Sequence, residues 1–396
     1  MVTNFVLQIA CLMVSVYLFS NSICIPALSN ISEHFTVSPR IAQNIIVLYT
    51  LGLGVSQLFY GPLSDIYGRR IVVLVGNTIF VFGSIFSLFS SSIDSLLLAR
   101  LLQGLGAGCY SVIAKSILSD VYKGNFYINA TAVVMIISVL TQMISPIIGG
   151  YLISLFSWQA NFLAILLYCL ITLVVLFIFM PETNFHERTG SKNNVFLAMY
   201  HSYSIILQQK DFWLFLLISS LTLACVTIYY GVSPFILQNQ MGLSSFEFGL
   251  TFLLTDSTFL IGCLFIYYVK NKVNAYKNML VGLSIMTIGS GMMILTSILK
   301  YNEPVLIIFS MSVFNLGTGL VFPVATAKAL LVRQNIPGAS GAIIGAIQML
   351  IVALLVFAFS GIHGGNQCFL ALILFMMTMV CFFFAGKLNE EKAYRS

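Results

Sequence analysis

Apolar runs of about twenty residues, each ended by a short polar break, recur twelve times along the chain. They lie at roughly 5–28, 41–62, 71–91, 96–118, 128–153 and 158–180, then 212–238, 246–269, 278–299, 305–328, 339–362 and 366–386. At helical rise, a run of that length matches the thickness of a bilayer's hydrocarbon core, so each reads as a membrane-crossing helix. The rhythm fails once, at 181–211, where Glu182, His186, Glu187, Arg188, Lys192, Lys210 and Asp211 gather. The pattern therefore predicts an all-α membrane protein: a six-helix bundle over 1–180, a solvated linker over 181–211, and a second six-helix bundle with a short tail over 212–396. Two such bundles around a central pathway is a transporter architecture.

Composition narrows the class. Hydrophobic residues make up 59%, charged residues 8%, and the mean hydropathy is +1.00, whereas a soluble domain is typically about 25% charged. The net charge of +6 is dispersed over loops, which argues for membrane topology and against a nucleic-acid partner. With the N-terminus inside, the inner segments receive Arg69, Arg70, Lys123, Arg188, Lys192, Lys210, Lys270, Lys272, Lys277, Arg333, Lys387, Lys392 and Arg395. The outer loops receive only Arg40 and Lys300, so both termini are expected in the cytoplasm. No basic residue precedes Arg40, so the first run is expected to remain as a span rather than act as a signal peptide. The eight cysteines sit singly, with no C-x-x-C, and His34, His186, His201 and His363 are scattered; neither a disulfide framework, a metal site nor a cofactor is expected.

One charged stretch stands between the second and third runs: Gly61-Pro62-Leu63-Ser64-Asp65-Ile66-Tyr67-Gly68-Arg69-Arg70. It reads as a cytoplasmic turn, its arginines held on the inner side and its small residues letting helix ends approach. It also resembles the G-x-L-x-D-x-x-G-R-R signature of the major facilitator superfamily at every fixed position. Four further stretches resemble the drug:proton antiporters of the bicyclomycin-resistance (Bcr/CflA) type: Ile25-Pro26-Ala27-Leu28; Arg100 through Gly108; Ala114 through Asp120; and Ser233-Pro234-Phe235-Ile236-Leu237-Gln238 with Gly242-Leu243-Ser244. The fifth run carries only part of the antiporter signature, Ser145-Pro146-Ile147-Ile148-Gly149-Gly150, and helix packing explains these small residues almost as well. Gly104, Gly106 and Gly108 lack the spacing and preceding strand of a nucleotide loop, so they too read as packing positions. The resemblance implies the superfamily fold, export in a bacterial inner membrane, and a monomer.

Ionisable groups inside spans are the functional suspects, since each costs at least about 2.5–3.5 kcal/mol at the bilayer centre unless paired or wetted. Arg100 lies near the outer end of the fourth span. In the resembled antiporters an acid four residues before the first-span proline carries the coupling proton; here that position is Ser22. Pro26 lacks an N–H and frees the Ser22 carbonyl, so Arg100 is expected to donate to that carbonyl and to Asn21, and to substrate when one is bound. The other reading is an arginine that only locks helices. Asp256 is the one acid near the middle of a span, and a carboxyl in an apolar bundle can trade its proton near neutral pH. It becomes the coupling candidate, against the alternative of a carboxyl satisfied by nearby hydroxyls. At the inner end, Arg69 is expected to pair with Asp120, Asp65 to meet the helix N-terminus near Pro337-Gly338, and Lys115 to join the gate. The resemblance implies that Gly61, Asp65, Gly68, Arg69, Arg70, Lys115 and Asp120 hold the halves together when the protein faces outward.

The pocket is expected between the first, fourth, seventh and tenth spans, lined by Tyr17, Asn21, Ser22, Arg100, Gln103, Tyr110, Tyr229, Tyr230, Asn315 and Thr318, with Gln348 from the eleventh. Bends are expected at Pro26, Pro146, Gly149, Gly150, Pro234 and Pro323, with Gly317 and Gly319. No H-E-x-x-H, G-x-S-x-G, P-loop or T-V-G-Y-G segment occurs, which argues against enzyme, ATP-driven pump and potassium-type pore. Two transport readings remain: proton-coupled efflux of drugs or amphipathic metabolites, and a dedicated transporter of a native anion such as a carboxylate siderophore. A transporter-derived receptor is the third and weakest reading.

Overall fold

Proline and small polar residues decide where each helix starts and how it ends. A computed structural model describes residues 2–184, 203–204, 206–269, 274–301, 303–331, 337–360 and 366–388. Among them, twelve helices are long and apolar enough to cross a membrane. They are α1 Phe5–His34, α2 Pro39–Tyr67, α3 Arg69–Leu88, α4 Ile93–Val121, α5 Phe126–Leu155, α6 Gln159–Phe179, α7 Lys210–Gln240, α8 Ser245–Ile266, α9 Ala275–Ile298, α10 Pro304–Leu331, α11 Gly341–Ser360 and α12 Gln367–Gly386. Ser92 caps α4 in a reciprocal box with Ser95, and Asn274 and Asn366 cap α9 and α12 by accepting backbone N–H groups. Arg188, Lys192, Lys270, Lys272, Arg333, Lys392, Arg395, His186, His201 and His363 lie outside the described residues.

Three boundaries differ from expectation. α1 does not stop near residue 28: at Pro26 it tightens into a 3₁₀ turn, Ile25–Ala27, and resumes as Leu28–His34. The proline removes one donor but leaves the chain helical. α7 likewise runs past Pro234 into a π-helical turn, Phe235–Gln240. The stretch 61–70, expected as a turn, is helix throughout except Gly68, because α2 continues through Pro62 to Tyr67. Gly68 alone breaks it, at φ 95°, where a side chain would be strained.

The halves repeat one packing scheme. α4 lies against α1, α2 and α3, and α10 lies against α7, α8 and α9. Gly104, Gly106 and Gly108 make α4 thin enough for this: a Cβ on them would strike the Tyr49 carbonyl, the Phe80 backbone and the Ser56 side chain. They are packing glycines, as read. The halves meet along α2–α11 and α5–α8. Phe82, Ile171, Phe177 and Val305 cover outward surface, as a lipid solvent requires.

Candidate functional site

Arg100 is fully enclosed. Its Nε donates to the Ile45 carbonyl at 3.2 Å, and its Nη1 donates to the Ser20 carbonyl at 3.2 Å and to Gln103 Oε1 at 2.9 Å. The guanidinium also sits 4.3 Å from the centre of the Tyr49 ring. The expected bonds to the Ser22 carbonyl and Asn21 are corrected: the broken turn at Pro26 presents the carbonyl two residues earlier. Gln103 in turn donates to Ser84 and Ser87 of α3, and Tyr110 packs its ring on Phe80 at 5.8 Å. Both were expected in the central pocket; both point into the first bundle instead. The arrangement ties α1, α2, α3 and α4 together, while Arg100 Nη2 has no hydrogen-bond partner among the described residues.

Asp256 lies in α8, buried beside α7 and α10. Tyr230 donates to its Oδ1 at 3.0 Å, with Thr255 at 3.5 Å, while Oδ2 has no hydrogen-bond partner among the described residues. Asn315 of α10 donates to the Thr255 carbonyl at 3.0 Å, and Thr258 to the Ser312 carbonyl at 2.8 Å, fixing α8 on α10. Tyr230, Phe252 and Phe248 form a ring chain at 5.2 and 5.5 Å. The hydroxyls of Tyr229 and Ser233 are also unpartnered among the described residues. Hydroxyls therefore satisfy half of the carboxyl, and a buried oxygen left over is costly unless a proton or ligand meets it.

At the end bearing Gly61 to Arg70, Arg69 donates to Asp65 Oδ1 at 2.5 Å, to Ser64 Oγ at 2.6 Å and to Asp120 Oδ2 at 3.1 Å. The Arg69–Asp120 pair is as expected. The carboxylate of Asp65 also meets Arg69, and its expected contact near Pro337-Gly338 falls outside the described contacts. The linker supplies what the sequence reading missed. Glu182 accepts the backbone N–H groups of Arg69 and Arg70 at 2.9 and 3.2 Å, capping α3. Thr183 donates to Asp120 at 3.0 Å, and Asn184 donates to the Asp65 carbonyl at 2.9 Å. Near Asp65, burial pushes the Tyr203 hydroxyl up to about 12, helped by that negative charge. Arg69 and Thr183 both bond Asp120 through Oδ2, and no bond from Lys115 to this network is present among the described residues.

The opposite end holds a second feature that was missed. Ser29 donates to Asn239, Asn239 to Glu33 at 3.3 Å, Gln238 to the Pro26 carbonyl at 3.1 Å, and Ser245 to Asn30 at 3.3 Å. These bonds join α1 to α7 and α8 across the two halves. The available signal was the polar residues that directly follow Pro26 and Pro234. Gly149 and Gly150 sit beneath this latch, where a Cβ would strike the Ile23 and Ser245 carbonyls. Pro146 presents its carbonyl to Gly249 of α8, and Pro323 lies inside α10. Tyr17 and Asn21 are half-buried on α1, whereas Ser22, Tyr229, Asn315, Thr318 and Gln348 are buried. Among the described residues no His/Cys/Asp/Glu group could hold a metal ion, and all eight cysteines are free.

Residues 10–360 match the family described as "Major Facilitator Superfamily". A Rickettsia bellii protein described as an "Uncharacterized transporter" is 29% identical, covering 92% of this chain and 92% of its own. "Multidrug resistance protein D" of Escherichia coli is 27% identical, covering 85% of this chain and 84% of its own. The crystal structure of a D-xylose-proton symporter superposes with a TM-score of 0.80 at 13% identity, covering 99% of both chains.

Proposed function

This chain belongs to the Major Facilitator Superfamily and is a multi-pass membrane transporter, not an enzyme, and from that premise we propose that it exports drugs or amphipathic metabolites in exchange for protons, with Asp256 as the proton carrier. The E. coli relative named for multidrug resistance supports the export reading. The observation that carries the coupling is the lone Oδ2 of Asp256 in a buried aromatic and hydroxyl setting. A proton on that oxygen removes the cost of burying a carboxylate, and substrate entering beside Tyr229 and Tyr230 alters that balance. Each charge moved through about 100 mV supplies roughly 2.3 kcal/mol, enough for about a fiftyfold substrate gradient.

The latch between α1 and α7–α8 closes the outer face, and the Arg69 network lies at the cytoplasmic face of a bacterial inner membrane, with both termini inside. The protein works as a monomer, its two six-helix bundles rocking about the seams α2–α11 and α5–α8. The test is ethidium uptake into proteoliposomes. Asp256→Asn is expected to abolish uptake driven by an imposed pH gradient while ethidium–ethidium exchange without a gradient continues. Full gradient-driven uptake in the variant would overturn the assignment.

A second reading, transport of a native anion, drew its sequence support from an Arg100 left unbalanced by Ser22. The bonds of Arg100 to Ile45, Ser20 and Gln103 weaken that support, and its unpartnered Nη2 is what remains of it.

A further inference from the structure

The outer latch joins two turns that both depart from the α-helix, in opposite senses. In α1 the chain tightens at Ile25–Ala27, where the Ala27 N–H reaches only three residues back, to the Cys24 carbonyl at 3.1 Å. In α7 it widens over Phe235–Gln240, and the Met241 N–H reaches five residues back, to the Ile236 carbonyl at 3.1 Å. A proline stands at each departure, Pro26 inside the first turn and Pro234 just before the second. Proline has no N–H, and its ring crowds the carbonyl four residues earlier, so the chain beside it takes another winding. The two turns touch each other. Gln238 of the widened one donates to the Pro26 carbonyl of the tightened one at 3.1 Å.

They are not anchored alike. Beside the turn in α1, carbonyls are held by side chains of its own bundle, Ser20 by Arg100 at 3.2 Å and Ile23 by Asn161 at 2.8 Å. Gly149 lets α5 close on the same Ile23 carbonyl. At the turn in α7 the polar contacts are the latch itself. Gln238 donates to Pro26 and accepts from Ser245 at 3.1 Å, and Asn239 takes Ser29 and Glu33. Ser233 Oγ, next to Pro234, has no hydrogen-bond partner among the described residues. A five-residue winding is rare and occurs mostly as a single turn at functional positions. The latch bonds and the wide turn therefore hold each other in place.

We propose that the π-helical turn after Pro234 is the moving part of the outer latch, and that the outer mouth opens as this turn rewinds to α-helix. This rests on the reading of the latch as the outer closure. Passing from five-residue to four-residue bonding takes one residue out of the turn, so side chains beyond it rotate by up to about 100°. Gln238 and Asn239 then leave Pro26, Ser29 and Glu33 in one step, while the tight turn of α1 stays where Arg100 and Asn161 hold it. Tyr230, which donates to Asp256, lies one turn before Pro234 on the same helix. The rewinding segment thus follows directly on the group proposed to carry the proton.

The test is the labelling rate of a cysteine placed at Asn30 by a membrane-impermeant maleimide, in a double-mutant cycle of Pro234→Ala and Asn239→Ala. Alanine restores the missing N–H and favours α-helix. Pro234→Ala is expected to speed labelling about thirtyfold, as the Gln238 and Asn239 contacts go together. Asn239→Ala alone should speed it about fivefold. Added to Pro234→Ala it should change the rate by less than about twofold, because the rewound turn has already withdrawn that side chain. Pro234→Gly restores the N–H without favouring helix, so it should accelerate far less than Pro234→Ala. Equal acceleration by glycine and alanine, no acceleration by Pro234→Ala, or about fivefold from Asn239→Ala in both backgrounds would overturn the rewinding turn and leave rigid rocking alone. If Asn239→Ala accelerates labelling in neither background, the latch is not the outer closure, and the proposal falls with that reading.

Discussion

The two bundles each bury an ionisable side chain, and they treat it in opposite ways. Arg100 in the first bundle has its Nε and Nη1 engaged by the carbonyls of Ile45 and Ser20 and by Gln103 of its own helix, and its guanidinium lies on the Tyr49 ring, with Nη2 unpartnered among the described residues. Asp256 in the second bundle has one oxygen engaged by Tyr230 and the other left bare. A charge bonded to the backbone of two neighbouring helices is a structural bolt, because moving either helix breaks a bond. A carboxyl with one oxygen left bare is, on the proposed coupling, the group that takes up and releases the proton. On that proposal the same membrane penalty yields rigidity in one half and a switch in the other.

The sharpest way to break that comparison is to neutralise both groups. Asp256→Asn should cut gradient-driven flux by at least about a hundredfold, the loss expected when one proton no longer moves, while the thermal midpoint stays the same or rises. Arg100→Ala should do the reverse. It leaves two buried carbonyls and Gln103 Oε1 without the guanidinium and opens a cavity, costing roughly 2–4 kcal/mol of stability, seen as a lowered thermal midpoint and poor yield. In the protein that survives, half-saturation for ethidium should stay close to wild type. Arg100→Lys keeps the charge but loses the planar fork, so it should fall between the two. An Arg100→Ala protein of normal stability that no longer binds substrate would invert the comparison.

Sequence pattern singles out Asp256 more readily than it shows the partners of Arg100. Asp256 could be found because it is an acid amid a long apolar run, and Arg69 with Asp120 could be found from motif spacing. The partners of Arg100 could not, since they are backbone carbonyls of Ser20 and Ile45, and a carbonyl has no letter in the sequence. Gln103 and Tyr110 were assigned to the wrong side of α4 for a related reason. In a helix apolar all round, hydropathy does not tell the face toward a neighbouring helix from the face toward the pathway. Ser84 and Ser87, three apart on α3, were the clue that Gln103 points there. The turn expected at 61–70 proved to be helix because α2 carries Pro62 inside it at the loss of one backbone hydrogen bond and ends only at Gly68.

Smaller effects sharpen the contrast between the two ends of the molecule. Gly150→Val places carbon against the Ser245 carbonyl at the seam beneath the latch. Overpacking of this kind costs about 1–3 kcal/mol, here charged only to the outer-closed state. Labelling of a cysteine placed at Asn30 by a membrane-impermeant maleimide should accelerate about tenfold. Asn239→Ala removes the bonds to Ser29 and Glu33 and should give a milder form of the same acceleration, worth about 1 kcal/mol. Glu182→Ala uncaps α3 at the other end, for about 1 kcal/mol. It should lower the thermal midpoint slightly without changing labelling at Asn30.

The claim on which the rest depends is that a substrate and a proton compete through Asp256, and proton counting tests it most directly. Ethidium is added to the purified protein in weakly buffered solution near neutral pH, and the protons released are titrated. The account predicts about one proton released per ethidium bound by wild type and none by Asp256→Asn. Equal release from both proteins, or binding by wild type with no release at any pH between 6 and 8, would contradict it.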